Sequence, residues 1–337
     1  MRISLGTVTI NEKAKELMKK VLDEGKIGQS EYIEEFEEKF AKFIGSDYAV
    51  AVSSGTIADT IALATMKHFF PLKKKVLVPA LTFIAQINSV YYNHLEPVFV
   101  DHGDNMITDD DTLCAFPVHL LGAPYDGVAG PRVVEDACEA LGSTSVGNYC
   151  GTLGDMGTFS FFPSHSMTTG EGGMIITDNK DYAEVARRLR TQGRNGNSVL
   201  DKFHFDEIGF NGRMTTMQAV IGLSLIDELP AIFEKRNRNF LELGGSFRAG
   251  TTIVPHGFPV FYESKQERDA KLLKLDANGI ECRKIFSCIP TDEKAYAFMG
   301  HKRGEFPEAE RIADTGLYVP CHQNLTEEDL NAIRAHL

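Results

Sequence analysis

The sequence has no tryptophan, no C-x-x-C motif, no apolar signal core near its amino terminus and no surplus of basic residues. Its six cysteines are scattered without the spacing of a zinc site, which predicts reduced, mostly buried thiols and no bound metal. A formal net charge of −12 argues against general nucleic-acid binding, which requires a basic face. Because no apolar run approaches the length of a membrane span, the chain is predicted to be cytoplasmic and without membrane contact.

The pattern of apolar residues along the 337 positions predicts an α/β protein. An amphipathic helix is predicted over residues 11–24 and a second one after Ser30. Beyond them, short apolar runs alternate with helical patterns such as residues 57–69 and 181–191, an order typical of a mainly parallel sheet with covered faces. The predicted buried strands are Tyr48–Val52, Val76–Pro79, Pro97–Val100, Cys114–Val118, Arg132–Val134, Gly157–Phe161 and Met174–Thr177.

Two connections in this pattern are short for a parallel crossover, which normally takes about ten or more residues and a helix. They run from Val100 to Cys114 and from Leu121 to Arg132, and they are acidic or rich in turn residues. Crossover helices are therefore predicted to be missing at both places.

The last third of the chain begins with a helical pattern from Met217 to about Phe247, predicted to bend at Pro230. We expect a large domain over residues 1–230 and a smaller C-terminal α/β domain over residues 231–337. The final helix of that domain is predicted at Glu327–His336, with Thr326 as its N-cap.

The segment Ser53-Ser54-Gly55-Thr56 follows the strand AVAV and precedes the helix IADTIALATM. Small hydroxyl residues and glycine at a helix N-terminus leave backbone N–H groups free for an anion, which indicates a phosphate cup. By itself the segment is more typical of an ordinary N-cap.

Two further segments end strands. Glu135-Asp136 closes the apolar run RVVED, and the carboxyl ends of parallel strands face the ligand crevice of such a sheet. A carboxylate there is suited to pairing with a protonated ring nitrogen of a cofactor. Thr82-Phe83 follows VLVPA and offers an aromatic ring to a planar ligand. The alternative for Glu135-Asp136 is an exposed acid at a strand end, and the alternative for Phe83 is a core phenylalanine.

Together these segments resemble the DegT/StrS family of sugar aminotransferases and their dehydratase relatives. The resemblance covers nearly the whole chain. It implies the aspartate aminotransferase fold (fold type I), with a three-layer large domain, a mainly parallel sheet and a smaller C-terminal α/β domain. It also implies pyridoxal or pyridoxamine 5′-phosphate as cofactor and a homodimer with a shared active site. The motifs that carry it include AVAVSSGTIADTIALA, VPALTFIAQINSV, VVEDACEALGS, GTLGDMGTFSFFPSHSMTTGEGGMIIT and IGFNGRMTTMQAVIGL.

Carried over by position, the resemblance assigns the cofactor phosphate to Ser54, Gly55, Thr56 and the hydroxyl of Ser160. Asn211, in IGFNGRM, matches an asparagine that reaches the phosphate from a neighbouring subunit. The shared site would therefore be completed only in the dimer.

The resemblance also implies roles around the cofactor ring. Asp136 pairs with the pyridine nitrogen, Phe83 stacks on the ring, and Glu139 lies near the phenolic oxygen. His165 stands where family members carry the Schiff-base lysine. Because an imidazole has no primary amine, the cofactor is predicted to be bound non-covalently, whereas the ring still moves protons near neutral pH.

Histidine at this position is a mark of the sugar 3-dehydratase branch, and the strings ALGS and T-x-GEGG favour the same branch. Ser166 departs from it, since those enzymes carry a second histidine there. The predicted function is 3-dehydration of a nucleotide-linked 4-keto-6-deoxy sugar, with His165 as acid and base and Asp136 sustaining the ring as an electron sink. The alternatives are a sugar aminotransferase with glutamate as amine donor, and a catalytically silent relative that binds the nucleotide sugar or the cofactor.

Overall fold

The secondary structure is described for residues 2–196 and 203–337 of a computed structural model. The α-helices of these residues are α1 Glu12–Asp23, α2 Glu31–Ile44, α3 Gly55–Phe69, α4 Ile84–Tyr92, α5 Lys180–Arg190, α6 Thr216–Leu225, α7 Leu229–Glu242, α8 Lys265–Ala277, α9 Ile289–Asp292, α10 Pro307–Thr315 and α11 Glu327–His336. The strands of the large sheet are β1 Tyr48–Val52, β2 Lys75–Pro79, β3 Glu96–Val100, β4 Thr112–Ala115, β5 Val134–Asp136, β6 Met156–Ser160 and β7 Gly173–Thr177.

The seven strands form one sheet in the order β1-β7-β6-β5-β4-β2-β3. Continuous ladders join β1 through β7 and β6 to β5, and β4 through β2 to β3. Parallel bridges from Ala115 to Val133 and from Val118 to Asp136 connect the two groups. β7 runs antiparallel to both of its neighbours, and the other ladders are parallel. The predicted mainly parallel sheet is confirmed.

Apolar clusters cover both faces of this sheet and produce three layers. One face packs against α2 and α6, where Phe36 and Phe40 contact Phe161 with ring centroids 5.6 Å away in each case. The other face packs against α3, α4 and α5. Strands that are buried on both sides need near-continuous apolar runs, and all five residues of β7 are buried.

The two short connections contain no α-helix. Residues 101–133 hold a 3-10 turn, Leu120–Gly122, and a two-residue parallel pair between Met106–Ile107 and Val128–Ala129. The predicted loss of crossover helices is therefore confirmed.

The helix predicted from Met217 to Phe247 with a bend at Pro230 is only partly correct. The chain forms α6, a 3-10 turn over Ile226–Glu228, and α7, which ends at Glu242. Pro230 lies in the first turn of α7. A proline ring excludes the carbonyl four residues before it, here that of Ile226, so the regular helix is interrupted before the proline. The helix α4, which follows Phe83, was not among the predicted helices.

The C-terminal part contains an antiparallel sheet of β8 Phe258–Phe261, β9 Arg283–Lys284 and β10 Gly316–Val319, with β10 in the middle. The amino terminus packs on this part, since Ile3 forms a parallel bridge with Ile280. As predicted, Thr326 is the N-cap of α11, and it also exchanges hydrogen bonds with Asp329 in a capping box. The domain division at residue 230 stays a prediction.

Among the described residues, the run Thr216–Glu242 passes the length and composition test for a membrane-crossing helix, contrary to the sequence expectation. It comprises α6, the 3-10 turn and α7. Of its most apolar window, 56% is buried inside the protein, where it contacts the core of the large sheet. A mostly buried core helix passes the same test, so the run is weak support for a membrane span.

Candidate active site

A cavity of about 270 Å³ lies at the carboxyl ends of β5 and β6, beside the N-terminus of α3. This is the edge where a parallel sheet binds its ligands. Eight of the nine predicted site residues line it: Ser54, Gly55, Thr56, Phe83, Asp136, Glu139, Ser160 and His165. The ninth, Asn211, lies outside it.

The start of α3 forms one wall of the cavity. Ser54 is the N-cap, and its hydroxyl accepts a hydrogen bond from the backbone N–H of Ile57 at 3.2 Å. A side chain on Gly55 would place its Cβ 2.7 Å from the Cβ of Ser160, so glycine is required for the close approach of α3 to β6. The start of α3 therefore lies against Ser160, and backbone N–H groups at the start of a helix are suited to a phosphate.

Asp136 ends β5 and forms the floor of the cavity. It is 5% exposed, and burial raises the pKa of its carboxyl group. Its Oδ1 accepts a hydrogen bond from the backbone N–H of Cys138 at 3.1 Å. A buried carboxylate needs a positively charged partner, which a protonated pyridine nitrogen supplies.

Glu135, the other half of the predicted acid pair, has a structural role. Its carboxylate accepts hydrogen bonds from the backbone N–H groups of Gly151, Leu153 and Gly154 at 2.6–2.8 Å and contacts His119. Successive strand residues point to opposite sides of a sheet, which places Glu135 outside the cavity while Asp136 faces into it.

His165 lies on a tight loop that joins β6 to β7. Its backbone N–H donates to the carbonyl of Phe162 at 3.0 Å. Gly6 packs against this loop so closely that an added Cβ would lie 2.5 Å from Cα of Ser164. Nδ1 of His165 is buried and has no hydrogen-bond partner. Burial, followed by the positive charge of Arg236, lowers the pKa of His165 to about 3, so the ring is a neutral base at physiological pH.

Phe83 precedes α4 and stands at the open side of the cavity. It is 53% exposed, and its ring contacts Phe286 with centroids 5.5 Å apart. The alternative of a core phenylalanine is therefore wrong. An exposed ring at a cavity mouth is available to stack on a planar ligand.

Asn211 is exposed on the surface and pairs through its backbone with Thr191. Its side chain does not reach the cavity of its own chain. The predicted contact across a dimer interface is compatible with this position and stays a prediction.

Sequence reasoning missed the part of the cavity that the C-terminal segments build. His256, Arg283, Phe286 and Tyr318 line it opposite β5 and β6. A histidine before a short apolar strand, as in PHGFPVF, was the one local signal available. Their approach to His165 follows from how the C-terminal sheet packs, which no local pattern encodes.

Three arginines of α5 pair with groups away from the cavity. Arg187 and Arg190 donate to backbone carbonyls of β1 and pair with Glu37, and Arg188 pairs with Glu207. Among the described residues that line the cavity, one is an arginine, Arg283.

The order of the strands and the position of the cavity define the aspartate aminotransferase fold, fold type I. The chain belongs to the DegT/DnrJ/EryC1/StrS aminotransferase family, whose model matches residues 8–337. The family and the fold that were predicted from the motifs are both confirmed.

Two curated relatives represent two activities of the family. The chain is 35% identical to the GDP-perosamine synthase of Caulobacter vibrioides, over 91% of this chain and 89% of the relative. It is 31% identical to the GDP-4-keto-6-deoxy-D-mannose 3-dehydratase of Yersinia pseudotuberculosis, over 97% and 96%. The chain is therefore a relative of nucleotide-sugar enzymes of both kinds.

Solved structures share the fold over almost the whole chain. A GDP-4-keto-6-deoxymannose-3-dehydratase (ColD) mutant with bound GDP-perosamine has a TM-score of 0.86 and 25% identity, covering 99% of each chain. A Streptococcus pneumoniae protein described as a sugar aminotransferase was solved in a PLP form and a PMP form. The PLP form has a TM-score of 0.87 and 20% identity, covering 99% of this chain and 97% of the solved chain. The PMP form has a TM-score of 0.88 and 21% identity, covering 99% of this chain and 98% of the solved chain. The predicted cofactor class is the one named for these two forms of the same fold.

Proposed function

We propose that this protein is a pyridoxamine phosphate-dependent enzyme that removes the 3-hydroxyl group of a nucleotide-linked 4-keto-6-deoxy sugar. One observation carries the proposal. His165 occupies the lysine position, and no lysine is found among the described residues that line the cavity. A Schiff base between protein and cofactor needs a primary amine, so the cofactor is held without a covalent link.

The residues present fit this cofactor. The phosphate would lie between the first N–H groups of α3 and the hydroxyl of Ser160, where the glycine at position 55 keeps space free. Asp136 would pair with the ring nitrogen, Glu139 would face the phenolic oxygen and Phe83 would cover the ring. Bound there, pyridoxamine phosphate supplies an amine and an electron sink. Asn211 from a second copy would complete the phosphate site of a cytoplasmic homodimer.

His165 performs the proton transfers in this proposal. Its neutral ring accepts a proton from the carbon next to the cofactor amine. The same ring then donates a proton to the departing 3-hydroxyl group, which leaves as water. Because its pKa is lowered to about 3, the ring readily releases the proton that it accepted.

The substrate class is supported by the relatives, whose names specify GDP-linked sugars. In the cavity, Arg283 offers a guanidinium for the diphosphate and Tyr318 lies beside it on the neighbouring strand. Guanidinium groups bind phosphate oxygens in a bidentate manner, which favours this residue for substrate recognition.

A second candidate function is 4-amination of the same sugar with glutamate as donor. It is favoured by the 35% identity to a GDP-perosamine synthase. The absence of a lysine from the described cavity lining argues against it, because an aminotransferase normally releases its product by re-forming a covalent link between that lysine and the cofactor.

The mass of the product distinguishes these functions. The enzyme is incubated with pyridoxamine phosphate, glutamate and a panel of 4-keto-6-deoxy nucleotide sugars that includes GDP-4-keto-6-deoxymannose. A product that has lost the 3-hydroxyl oxygen and retains no amino group is the expected result. A stable 4-amino sugar formed over many turnovers would establish the aminotransferase instead. Tight sugar binding without any product would identify a silent relative.

A further inference from the structure

A second histidine lies against His165 in the cavity. His256 precedes β8, in the C-terminal part of the chain, and is 4% exposed. The centroids of the two imidazole rings are 4.9 Å apart, with an angle of 47° between the ring planes. Two histidines in contact at one cavity wall form the beginning of a path for protons, because each ring accepts at one nitrogen and donates from the other.

Arg236 of α7 holds the two histidines together. Its side chain is 1% exposed, and its guanidinium donates to the carbonyl of Pro255 at 2.9 Å and to the carbonyl of His165 at 3.2 Å. A third hydrogen bond, from Nε to Gln323 at 3.0 Å, fixes the plane of the group. One rigid cation therefore binds the backbone beside each ring, which sets their relative position.

On its other side, His256 faces Glu139. The distance from Nε2 of His256 to Oε1 of Glu139 is 3.6 Å. Both residues are fastened to Leu121, whose N–H donates to Oε2 of Glu139 at 2.7 Å and whose carbonyl accepts from the N–H of His256 at 3.1 Å. Leu121 adopts a left-handed conformation, with φ of 52°. A non-glycine residue is held there when its surroundings over-determine it, as both hydrogen bonds do here.

We propose that His256 relays a proton between His165 and the carboxyl group of Glu139. This inference deepens the proposed function and rests on it for the role of His165. When Glu139 is ionised, the C–H bond breaks as a new N–H bond forms on His165, and two further transfers follow in which an N–H bond breaks as the next N–H or O–H bond forms. His165 passes a proton to His256, His256 passes its other ring proton to Glu139, and both rings end neutral.

The reverse transfers return the proton when the hydroxyl group departs as water. Glu139 loses its proton to His256, His256 donates to His165, and His165 donates to the leaving oxygen. The three relay residues start and end in the same protonation state, and no oxidant or reductant takes part. The relay avoids leaving a positive imidazolium beside the buried cation of Arg236.

Charged and titratable groups around Glu139 and His256 set the pH dependence of the relay. Asp136 and Cys138 face Glu139 from the end of β5, and Tyr318 faces it from β10. Arg236 and Arg283 act on His256 from α7 and β9. Burial, opposed by the Leu121 hydrogen bond and assisted by Asp136, raises the pKa of Glu139 to about 8. The ionised form that accepts a proton therefore appears as the pH rises through about 8.

The relay is tested first in the cofactor-free protein by ¹⁵N NMR of the histidine rings. In the wild type, the ring nitrogens of His165 should shift as Glu139 titrates near pH 8. In His256→Phe and in Glu139→Gln this step should be lost. His301→Phe, which replaces a histidine near the surface in the same way, should retain it. If the step persists in His256→Phe, the relay is wrong whatever reaction the enzyme catalyses.

The second measurement is exchange of the aminomethyl hydrogen of bound pyridoxamine phosphate with deuterated solvent. The wild-type rate should rise through pH 8, and His256→Phe should remove this rise and slow exchange by roughly 10²-fold, the lower end for a positioned acid or base. If His256→Phe is misfolded by circular dichroism, His256→Gln takes its place. Unchanged exchange in a folded variant would overturn the relay, whereas the product-mass experiment tests the dehydration independently.

Discussion

Asp59 on α3 and Asp136 at the end of β5 are two buried carboxyl groups whose side-chain oxygens lie within 4.8 Å of each other. Asp59 accepts a hydrogen bond from the hydroxyl of Thr158 at 2.6 Å, and burial followed by the charge of Asp136 raises its pKa well above the usual range. Two carboxylates this close in a buried site do not both ionise readily, so the pair shares a proton until a cation arrives.

Replacement of Asp59 by asparagine should lower the pKa of Asp136, because a neutral amide of the same shape removes the neighbouring negative charge. Carboxyl ¹³C NMR of the cofactor-free protein should show two coupled steps in the wild type and one step at lower pH in the variant. Binding of pyridoxamine phosphate should extend to lower pH, since Asp136 then stays ionised. An unaltered titration of Asp136 would show that the two groups are not coupled.

His165→Asn should retain the cofactor but lose proton transfer. Asparagine is polar and of similar reach, but it has no useful pKa for general-base work. Exchange of the aminomethyl hydrogen with deuterated solvent should slow by about 10²–10⁴. Equal affinity for pyridoxamine phosphate in both proteins serves as the control. Exchange at the wild-type rate would identify another group as the base.

In His256→Phe, which should lack the Glu139 step, the acid side of the exchange profile should reflect the low pKa of His165. A free histidine would protonate and lose its basicity below about pH 6.5. Because the folded-state pKa of His165 is lowered to about 3, its base form persists as the pH falls through about 6.5. The exchange rate of His256→Phe should therefore stay level between pH 7 and 5. A tenfold fall over this interval in folded protein would mean that the ring is less buried than described.

Borohydride treatment of the protein loaded with pyridoxal phosphate should leave no pyridoxyl group on any lysine peptide. The reason is that His165 carries no primary amine, and no lysine lines the described cavity. His165→Lys is the matched control, which should become modified at position 165. A modified lysine in the wild-type active site would contradict non-covalent binding.

Asn211→Ala should weaken cofactor retention only if a second copy supplies this residue, because its own chain keeps it on the surface. Mixing it with Asp136→Ala should restore a minority of intact sites through heterodimers. Cofactor binding after verified subunit exchange measures the recovery. If none is seen, Asn211 does not act across an interface.

Much of the fold follows from local pattern. Strands buried on both faces need continuous apolar runs, which is why β1, β2 and β7 were found within a residue of their observed bounds. The predicted helix through Pro230 failed because the periodicity of apolar residues continues across a proline, whereas the backbone does not. The resemblance of the motifs named nine site residues, and eight of them line one cavity, since the ends of parallel strands converge by topology.

By itself the sequence determined the chemistry available at position 165, because the lack of a primary amine is a property of histidine in any fold. It also determined the glycine and hydroxyl residues at the start of α3 and the acid that ends β5, which depend on neighbours in the chain. Only the tertiary structure placed His256 against His165, Arg236 between their backbones and Asp59 beside Asp136. Those contacts join segments far apart in the chain, so they arise from packing, and packing also sets the burial that shifts their pKa values.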